Sequence, residues 1–215
     1  MRKDVFLKAA FFTLIVFSVS FLLGMWFEQS RLEEVKTSLT EIDNLWNDAR
    51  LLQSYIQNTP NTTNFCDSIL NENLKLGDRI YKQGLELEEY EKAGKFTSLL
   101  ILEKKRYALL DLQFWDNSIR LKKLCNASYS TIIYFYSQYD KSVEQKLMDR
   151  LLWDFKQKCG QKTIYITFPV DLDLSSIDVI KGIYNISKTP TVLINEEVVL
   201  PGLITLEELE KYVSC

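Results

Sequence analysis

From residue 131 to the C-terminus, short runs of β-branched and aromatic residues alternate with segments of helical periodicity. Residues 131–136 and 163–168 are β-branched or aromatic at every position, which is typical of strands buried on both faces. The predicted elements are strands at 131–136, 163–168, 191–194 and 198–200, and helices at 142–158, 175–184 and 205–213. A parallel βαβ unit with a right-handed crossover, followed by a hairpin and a helix, predicts a compact α/β domain with a four-stranded mixed sheet.

Two helix starts in this domain carry candidate capping residues. Ser175 and Ser176 can cap the second helix, because a serine hydroxyl accepts a hydrogen bond from a free backbone amide of the first turn. Residues 205–208 read Thr-Leu-Glu-Glu, the pattern of a capping box.

The order βαβαββα, with the sequence TPTVLI at residues 189–194, resembles the minimal glutaredoxin-type core of the thioredoxin-like superfamily from about residue 129 to residue 215. The resemblance implies that the Thr189–Pro190 peptide bond is cis and faces the site at which the family binds its substrates. It also implies that this edge pairs with an extended peptide through backbone hydrogen bonds. Tyr139 should line the same edge, where we expect an ordinary packed surface tyrosine; an aromatic contact to a bound peptide is the other reading.

The resemblance further implies a Cys-x-x-Cys motif at the start of the helix after the first strand, where the helix dipole stabilises a thiolate. Four other residues occupy those positions here: Asp140, Lys141, Ser142 and Val143. No cysteine lies between positions 125 and 159, so thiol–disulfide exchange has no attacking thiolate at this site. The hydroxyl of Ser142 has no base beside it and is not a nucleophile at neutral pH. We expect Asp140 or Ser142 to serve as a helix cap.

Residues 9–27 form a run of 19 residues without a charged side chain. As a helix this run is about 28 Å long, close to the ~30 Å hydrocarbon core of a bilayer. Arg2, Lys3 and Lys8 precede it and acidic residues outnumber basic ones after it, so the positive-inside rule places residues 1–8 in the cytosol and residues 28–215 outside. A cleaved signal peptide is the alternative; since no small-x-small cleavage site follows the run, we predict an uncleaved signal anchor.

Residues 28–126 predict an all-α stalk of three helices, the first ending at a loop rich in Pro and Asn at 58–64. The second helix runs from about residue 66 to 90, a tight reversal follows at 93–95, and the third runs from 96 to about 124. Heptad-like spacing in the first helix holds Leu32, Val35, Leu39, Ile42, Trp46, Ala49 and Ile56. This stripe fits a helical bundle with an ordinary core, and a self-association surface or coiled coil at 32–56 is the other reading.

The chain has four cysteines, which the predicted topology places outside the cytosol, where disulfides persist. Cys66 and Cys125 lie at similar distances on either side of the predicted helix reversal, so an antiparallel helix pair brings them together. The resemblance places the helices that end near Cys159 and Cys215 on one face of the sheet with neighbouring C-termini. We therefore predict the disulfides Cys66–Cys125 and Cys159–Cys215. A four-thiolate zinc site is the alternative, but no two cysteines are close enough in sequence to nucleate one.

Composition excludes several kinds of site. The chain contains no histidine, which removes Ser-His and Cys-His nucleophile pairs and histidine zinc sites. The formal charge of −3, without a Lys/Arg stripe, argues against nucleic-acid binding. We predict no metal and no cofactor. Asn61, Asn126 and Asn185 begin Asn-x-Ser/Thr sequons and are candidate glycosylation sites, with Asn185 the weakest because it adjoins a helix end.

The sequence thus predicts a single-pass membrane protein whose extracytosolic, thioredoxin-like head (127–215) binds a protein or peptide without catalysis, on a helical stalk (28–126). An atypical thiol–disulfide oxidoreductase or isomerase acting through Cys159 or Cys215 is one alternative. A structural, self-assembling stalk protein is the other.

Overall fold

The computed structural model describes residues 2–59, 62–92, 98–140, 142–213 and 215, and their side chains except those of 2–5, 31, 32, 34 and 35. The main elements of these residues are α1 (Arg2–Asn58), α2 (Thr63–Lys92), α3 (Ser98–Cys125), β1 (Ser130–Tyr136), α4 (Val143–Cys159), β2 (Thr163–Pro169), α5 (Ser175–Ile183), β3 (Thr191–Ile194), β4 (Val198–Pro201) and α6 (Leu206–Glu210). The chain divides into two compact units, one up to Glu41 and one at Ile42–Cys215.

The first unit contains the apolar segment. Phe6–Ser30 is long and apolar enough to cross a membrane, and it contains the predicted span at 9–27. Its large apolar side chains are exposed instead of packed inside the protein. The hydroxyls of Thr13, Ser18 and Ser20 each donate to the backbone carbonyl four residues earlier, so these polar groups are satisfied within the helix itself.

In the second unit the sheet has the strand order β2-β1-β3-β4. Strand β1 pairs in parallel with β2 and antiparallel with β3, and β3 pairs antiparallel with β4. The predicted four-stranded mixed sheet is confirmed, with β1 starting one residue earlier than predicted and β2 ending one residue later. Asn195 and Glu196 in the β3–β4 turn have φ of 51° and 59°, the left-handed conformation with which the chain reverses here.

Helices cover both faces of the sheet. Because successive strand residues point to opposite faces, Ile132 and Tyr134 pack with α4 and α6, whereas Ile133 and Phe135 point to the other side. The first face also holds Met148, Leu152, Phe155, Val192, Ile194, Leu209 and Val213. The predicted placement of α4 and α6 on one face is therefore present in the structure.

The second face is covered by α5 and by the helices that precede the sheet. Its core includes Ile42, Leu45, Ala49, Leu76, Ile80, Leu87, Leu110, Phe114, Trp115, Ile166, Phe168, Ile177 and Ile180. The Trp115 ring of α3 lies 5.9 Å from the Phe168 ring of β2, between centroids. The predicted boundary between a stalk at 28–126 and a head at 127–215 thus does not divide the described residues from Ile42 onward. The reason is that α3 packs against β2 and α2 packs against α3, so their apolar residues share one buried core with this face of the sheet.

Part of the apolar stripe predicted on the first helix is buried in this core. Ile42, Ala49 and Ile56 are buried within the second unit. The side chains of Leu32 and Val35 lie outside the described residues. Self-association through 32–56 stays a prediction. In the C-terminal half of this segment, the buried apolar side chains already pack against other helices of the same chain.

The helix ends differ in detail from the prediction. The capping box at the start of α6 is present, with reciprocal hydrogen bonds between Thr205 and Glu208, but α6 ends at Glu210 and not at residue 213. The capping prediction for Ser175 and Ser176 is wrong. Leu174 is the N-cap of α5 with an extended backbone and no side-chain cap, so Ser175 is already the first helical residue.

Both disulfides expected from the sequence are present, with Cα–Cα distances of 5.5 Å for Cys66–Cys125 and 4.8 Å for Cys159–Cys215. No cysteine is left free. The four-thiolate zinc alternative would require breaking both bonds.

Two of the three sequons fall on described residues. Asn126 and Asn185 are exposed, with φ of 50° and 53°, and each follows a helix end. Asn185 is exposed despite its place next to α5, because Ile186 and not Asn185 packs into the core there. Asn61 lies outside the described residues.

Candidate functional site at the carboxyl end of β1

The loop after β1 and the Thr189–Pro190 segment meet at one end of the sheet. Phe135 of β1 pairs with Thr191 of β3, so the antiparallel register carries Pro190 to the end of β1. The Gly202 amide donates to the Pro190 carbonyl at 2.8 Å, which ties this segment to the end of β4. The Thr189–Pro190 bond is cis, as the family resemblance implies. We call residues 137–140 and Ser142, together with Thr189 and Pro190, the candidate edge.

Thr189 has an open backbone. Among the described residues, neither its amide nor its carbonyl has a hydrogen-bond partner. On both sides of it the chain is tied down, since the Lys188 carbonyl accepts from the Thr191 hydroxyl at 2.8 Å and the Pro190 carbonyl accepts from Gly202. Backbone donors and acceptors in a half-buried position need a partner, and here no described residue satisfies either group.

The start of α4 carries an ordinary serine cap. The Ser142 hydroxyl accepts from the Gln145 amide at 3.2 Å, and so Ser142 and not Asp140 is the N-cap of α4. The Asp140 amide instead donates to the Ser137 hydroxyl at 2.8 Å. Val143 is the first residue of α4, and Lys141 lies outside the described residues.

Gln145 fixes the beginning of the loop. Its side-chain oxygen accepts from the Ser137 amide at 2.9 Å, and its side-chain nitrogen donates to the Ser137 carbonyl at the same distance. Gln145 is buried, so this reciprocal pair is shielded from water. The loop therefore leaves β1 in a defined direction.

Asp171 fixes the next part of the loop. Its carboxylate accepts from the Gln138 amide at 2.8 Å, from the Tyr139 amide at 3.3 Å, and from the Ser137 hydroxyl. Burial raises the pKa of Asp171, but the bonds from Ser137, Gln138 and Tyr139 outweigh that effect and the pKa is lowered overall. Four successive amides, those of residues 137–140, are thus bonded to side chains of this chain. A thiolate at this loop would compete with the Asp171 carboxylate for the Gln138 and Tyr139 amides.

Apolar side chains around the loop are open to solvent. Tyr139 is 60% exposed, Val143 73% and Leu147 52%. Val143 and Leu147 are one helical turn apart on α4. Leu203, which follows Gly202, is 48% exposed. More than half of the Tyr139 surface is therefore open to solvent, and its role as a contact residue stays a prediction.

The cysteines lie away from the candidate edge. Cys159 ends α4, and the 17 residues of this helix place it about 24 Å from Val143. Its partner Cys215 is the last residue of the chain. The sequence analysis missed three residues that shape the edge, namely Asp171, Gln145 and Gln138. Asp171 could have been found, since it lies two residues after the end of β2 and the carboxyl ends of parallel neighbours lie side by side.

No protein-family model matches the chain, and no curated protein matches it. Among solved structures it is similar to the germline-specific thioredoxin Deadhead of Drosophila melanogaster, at 13% identity and a TM-score of 0.36, over 46% of this chain and 89% of that one. It is also similar to thioredoxin O2 of Arabidopsis thaliana in the oxidized state, at 16% identity and a TM-score of 0.33, over 45% and 84% of the two chains. Chloroplastic thioredoxin z is similar at 12% identity and a TM-score of 0.33, over 42% and 80%.

Proposed function

We propose that this protein is anchored in a membrane and binds an extended protein or peptide segment at the candidate edge, outside the cytosol and without redox catalysis. The observation that carries the proposal is the open backbone of Thr189 beside a loop that is already fixed in place. An extended peptide can supply the missing donor and acceptor by strand addition. Exposed Tyr139 and Val143 add apolar contact area next to it.

A fixed loop favours binding. Ordering a flexible loop on association costs about 0.5–1.5 kcal/mol for each immobilised side chain, and preorganisation removes that cost. Here Gln145 and Asp171 order the loop before any partner arrives. The edge therefore offers a rigid surface on which a weak backbone pairing can contribute to affinity.

The cysteine arrangement supports a role without thiol chemistry. Residues 140–143 contain no cysteine, and all four thiols of the chain are in disulfides. The oxidoreductase alternative requires Cys159 or Cys215, at the far end of α4. It is tested by turnover of a model disulfide, with activity above that of free thiol and its loss in Cys159→Ser as the result that would restore it.

The proposed location rests on two observations. Phe6–Ser30 is apolar enough to span a bilayer, and basic residues precede it. Two disulfides are typical of proteins in an oxidising compartment. Protease added to intact cells with an accessible surface should remove the part of the chain after the span, whereas full protection would contradict this orientation.

The binding proposal is tested by photo-crosslinking on the full chain in its membrane. A benzophenone side chain replaces Tyr139 in one protein and Val179 in a matched control, because Val179 is also about 60% exposed but lies on α5. We expect discrete adducts from position 139 at several times the yield from position 179. Val143→Asp should reduce the adducts from position 139, since it places a charge on an exposed apolar contact. Equal yields from both positions would contradict the proposal.

A further inference from the structure

A buried glutamine connects the candidate edge to the helices that cover the sheet. The Gln138 side chain is only 1% exposed, although its neighbour Tyr139 is open to solvent. Its backbone amide is held by Asp171 from one side. Its side chain points the other way, toward α2 and α3, so one residue joins the loop to two different parts of the fold.

The groups that receive this side chain form a buried ion pair. The Lys104 ammonium of α3 donates to the Gln138 side-chain oxygen at 2.9 Å, and the Gln138 side-chain nitrogen donates to a Glu91 carboxylate oxygen of α2 at 2.9 Å. Lys104 also pairs directly with Glu91. The Lys104 and Glu91 side chains are 10% and 19% exposed. The three side chains form a closed ring of hydrogen bonds beneath the loop.

The chemistry of this ring fits a primary amide. The side chain at position 138 must accept a hydrogen bond from an ammonium and donate one to a carboxylate at the same time. A side-chain amide does both, because its oxygen accepts and its nitrogen donates. A carboxylate in its place would repel Glu91, and a second cation would repel Lys104. Buried charges need such partners because desolvation is costly. The position of the loop is therefore coupled to the way in which α2 and α3 pack.

We propose that Gln138 is a further positioning residue of the candidate edge, beside Gln145 and Asp171, through which the α2–α3 helix pair helps to set the conformation of residues 138–140. The inference rests on the proposed binding function for its biological meaning, but the coupling itself is a property of the free protein. Since coupling between sites is reciprocal, a partner bound at the edge should also slow local opening around Glu91 and Lys104. A partner that contacts α2 or α3 would in turn change the affinity of the edge.

The test is amide hydrogen exchange on the full chain in detergent micelles. Gln138→Leu keeps the volume of the side chain and removes both side-chain hydrogen bonds while leaving the Lys104–Glu91 pair intact. The matched control is Gln83→Leu. Gln83 is a buried glutamine like Gln138, but it lies on α2 and its side chain bonds to Glu86 and not to the loop. We expect the amides of residues 138–140 to exchange at least tenfold faster in Gln138→Leu, with β1 and β3 unchanged and with no loop effect in Gln83→Leu.

A second variant covers the case in which Gln138→Leu does not fold. Glu91→Gln keeps an acceptor for the Gln138 side chain but removes its charge, and it should speed loop exchange by a smaller factor, about threefold. Unchanged loop exchange in the folded variants, or an equal effect from Gln83→Leu, would overturn the positioning role. Crosslinking from position 139 separates this inference from the proposed function. Faster loop exchange together with lower adduct yield supports both, whereas faster exchange in a protein that gives no specific adducts supports the coupling and contradicts the binding.

Discussion

Replacing Asp171 with asparagine should loosen the loop after β1 while leaving the rest of the fold in place. Asp171 is the acceptor for two successive loop amides and for the Ser137 hydroxyl. Asparagine has nearly the same shape, but only one of its two terminal atoms can accept a hydrogen bond and it carries no charge. The change therefore removes acceptor capacity without creating a cavity.

The magnitude follows from the number and quality of these bonds. A hydrogen bond to a charged group contributes about 1.5–3 kcal/mol. The Tyr139 bond is long at 3.3 Å and contributes little, and asparagine can keep one of the two shorter bonds. Asp171 is half-buried, so we expect a loss of about 2–3 kcal/mol in the local opening free energy, which is about a 30- to 150-fold increase in opening.

Amide exchange at Gln138 and Tyr139 measures this local opening directly. The matched control is Asp173→Asn, two residues away. Asp173 is exposed and has a φ of 56°, a conformation that asparagine tolerates at least as well as aspartate. We expect the control to leave loop protection unchanged, within about threefold, and to leave the melting temperature unchanged.

The dependence on pH has a definite sign. The pKa of Asp171 is lower in the folded protein than its ordinary value of about 3.9, because its hydrogen bonds favour the charged form. Its contribution to loop stability is therefore complete above that ordinary pKa and is lost as the pH falls through the folded value. Loop protection factors should stay constant from neutral pH down to about pH 5 in the wild type, and they should fall below pH 4. In Asp171→Asn this fall should be absent, and an equal fall in the variant would refute the assignment of the carboxylate as the anchor.

Three further substitutions test the helices and the disulfide that joins α2 to α3. Gly77→Ala should destabilise the protein by up to about 2 kcal/mol, because its Cβ would lie 2.6 Å from the buried Phe114 ring and overpacking exceeds the gain in helix propensity. Gly182→Ala has nothing within 4 Å of its Cβ and should stabilise by about 0.5–1 kcal/mol, so thermal unfolding of the pair should shift in opposite directions. Cys66→Ser should lower the free energy of unfolding by about 2–4 kcal/mol, because the bond to Cys125, 59 residues away in sequence, restricts the unfolded chain. An unchanged melting temperature would contradict a formed disulfide.

The sheet could be predicted from the sequence because its signals are local. The strand at 131–136 is a continuous β-branched and aromatic run, and the helix after it repeats apolar residues with a helical period. Right-handed crossover then leaves few ways to join these elements. The pairing of Cys159 with Cys215 was predicted from the family resemblance, which places α4 and α6 on one face of the sheet; Cys159 ends α4, whereas Cys215 lies beyond the end of α6.

The packing of the helices on the second face could not be predicted in this way. The apolar stripe of α3 shows that Leu110 and Phe114 are buried, but it does not identify the surface that buries them. A separate bundle and a layer on the sheet have the same periodicity. The side-chain contacts beneath the loop were missed for a related reason, because Lys104 and Gln138 are 34 residues apart and no spacing rule links them.

The sheet edges explain why binding would be local and not an extension of the whole sheet. Strand β2 is one edge, and α3 packs against it. Strand β4 is the other edge, but it has only four residues and ends at Pro201, whose nitrogen carries no hydrogen to donate. Short edge strands that contain proline protect a sheet against uncontrolled strand pairing. Thr189 combines an open backbone donor and acceptor with a fixed loop and the exposed side chain of Tyr139 beside it. Under the proposed function, such a surface would accept a short extended segment of a partner and resist the addition of a full strand.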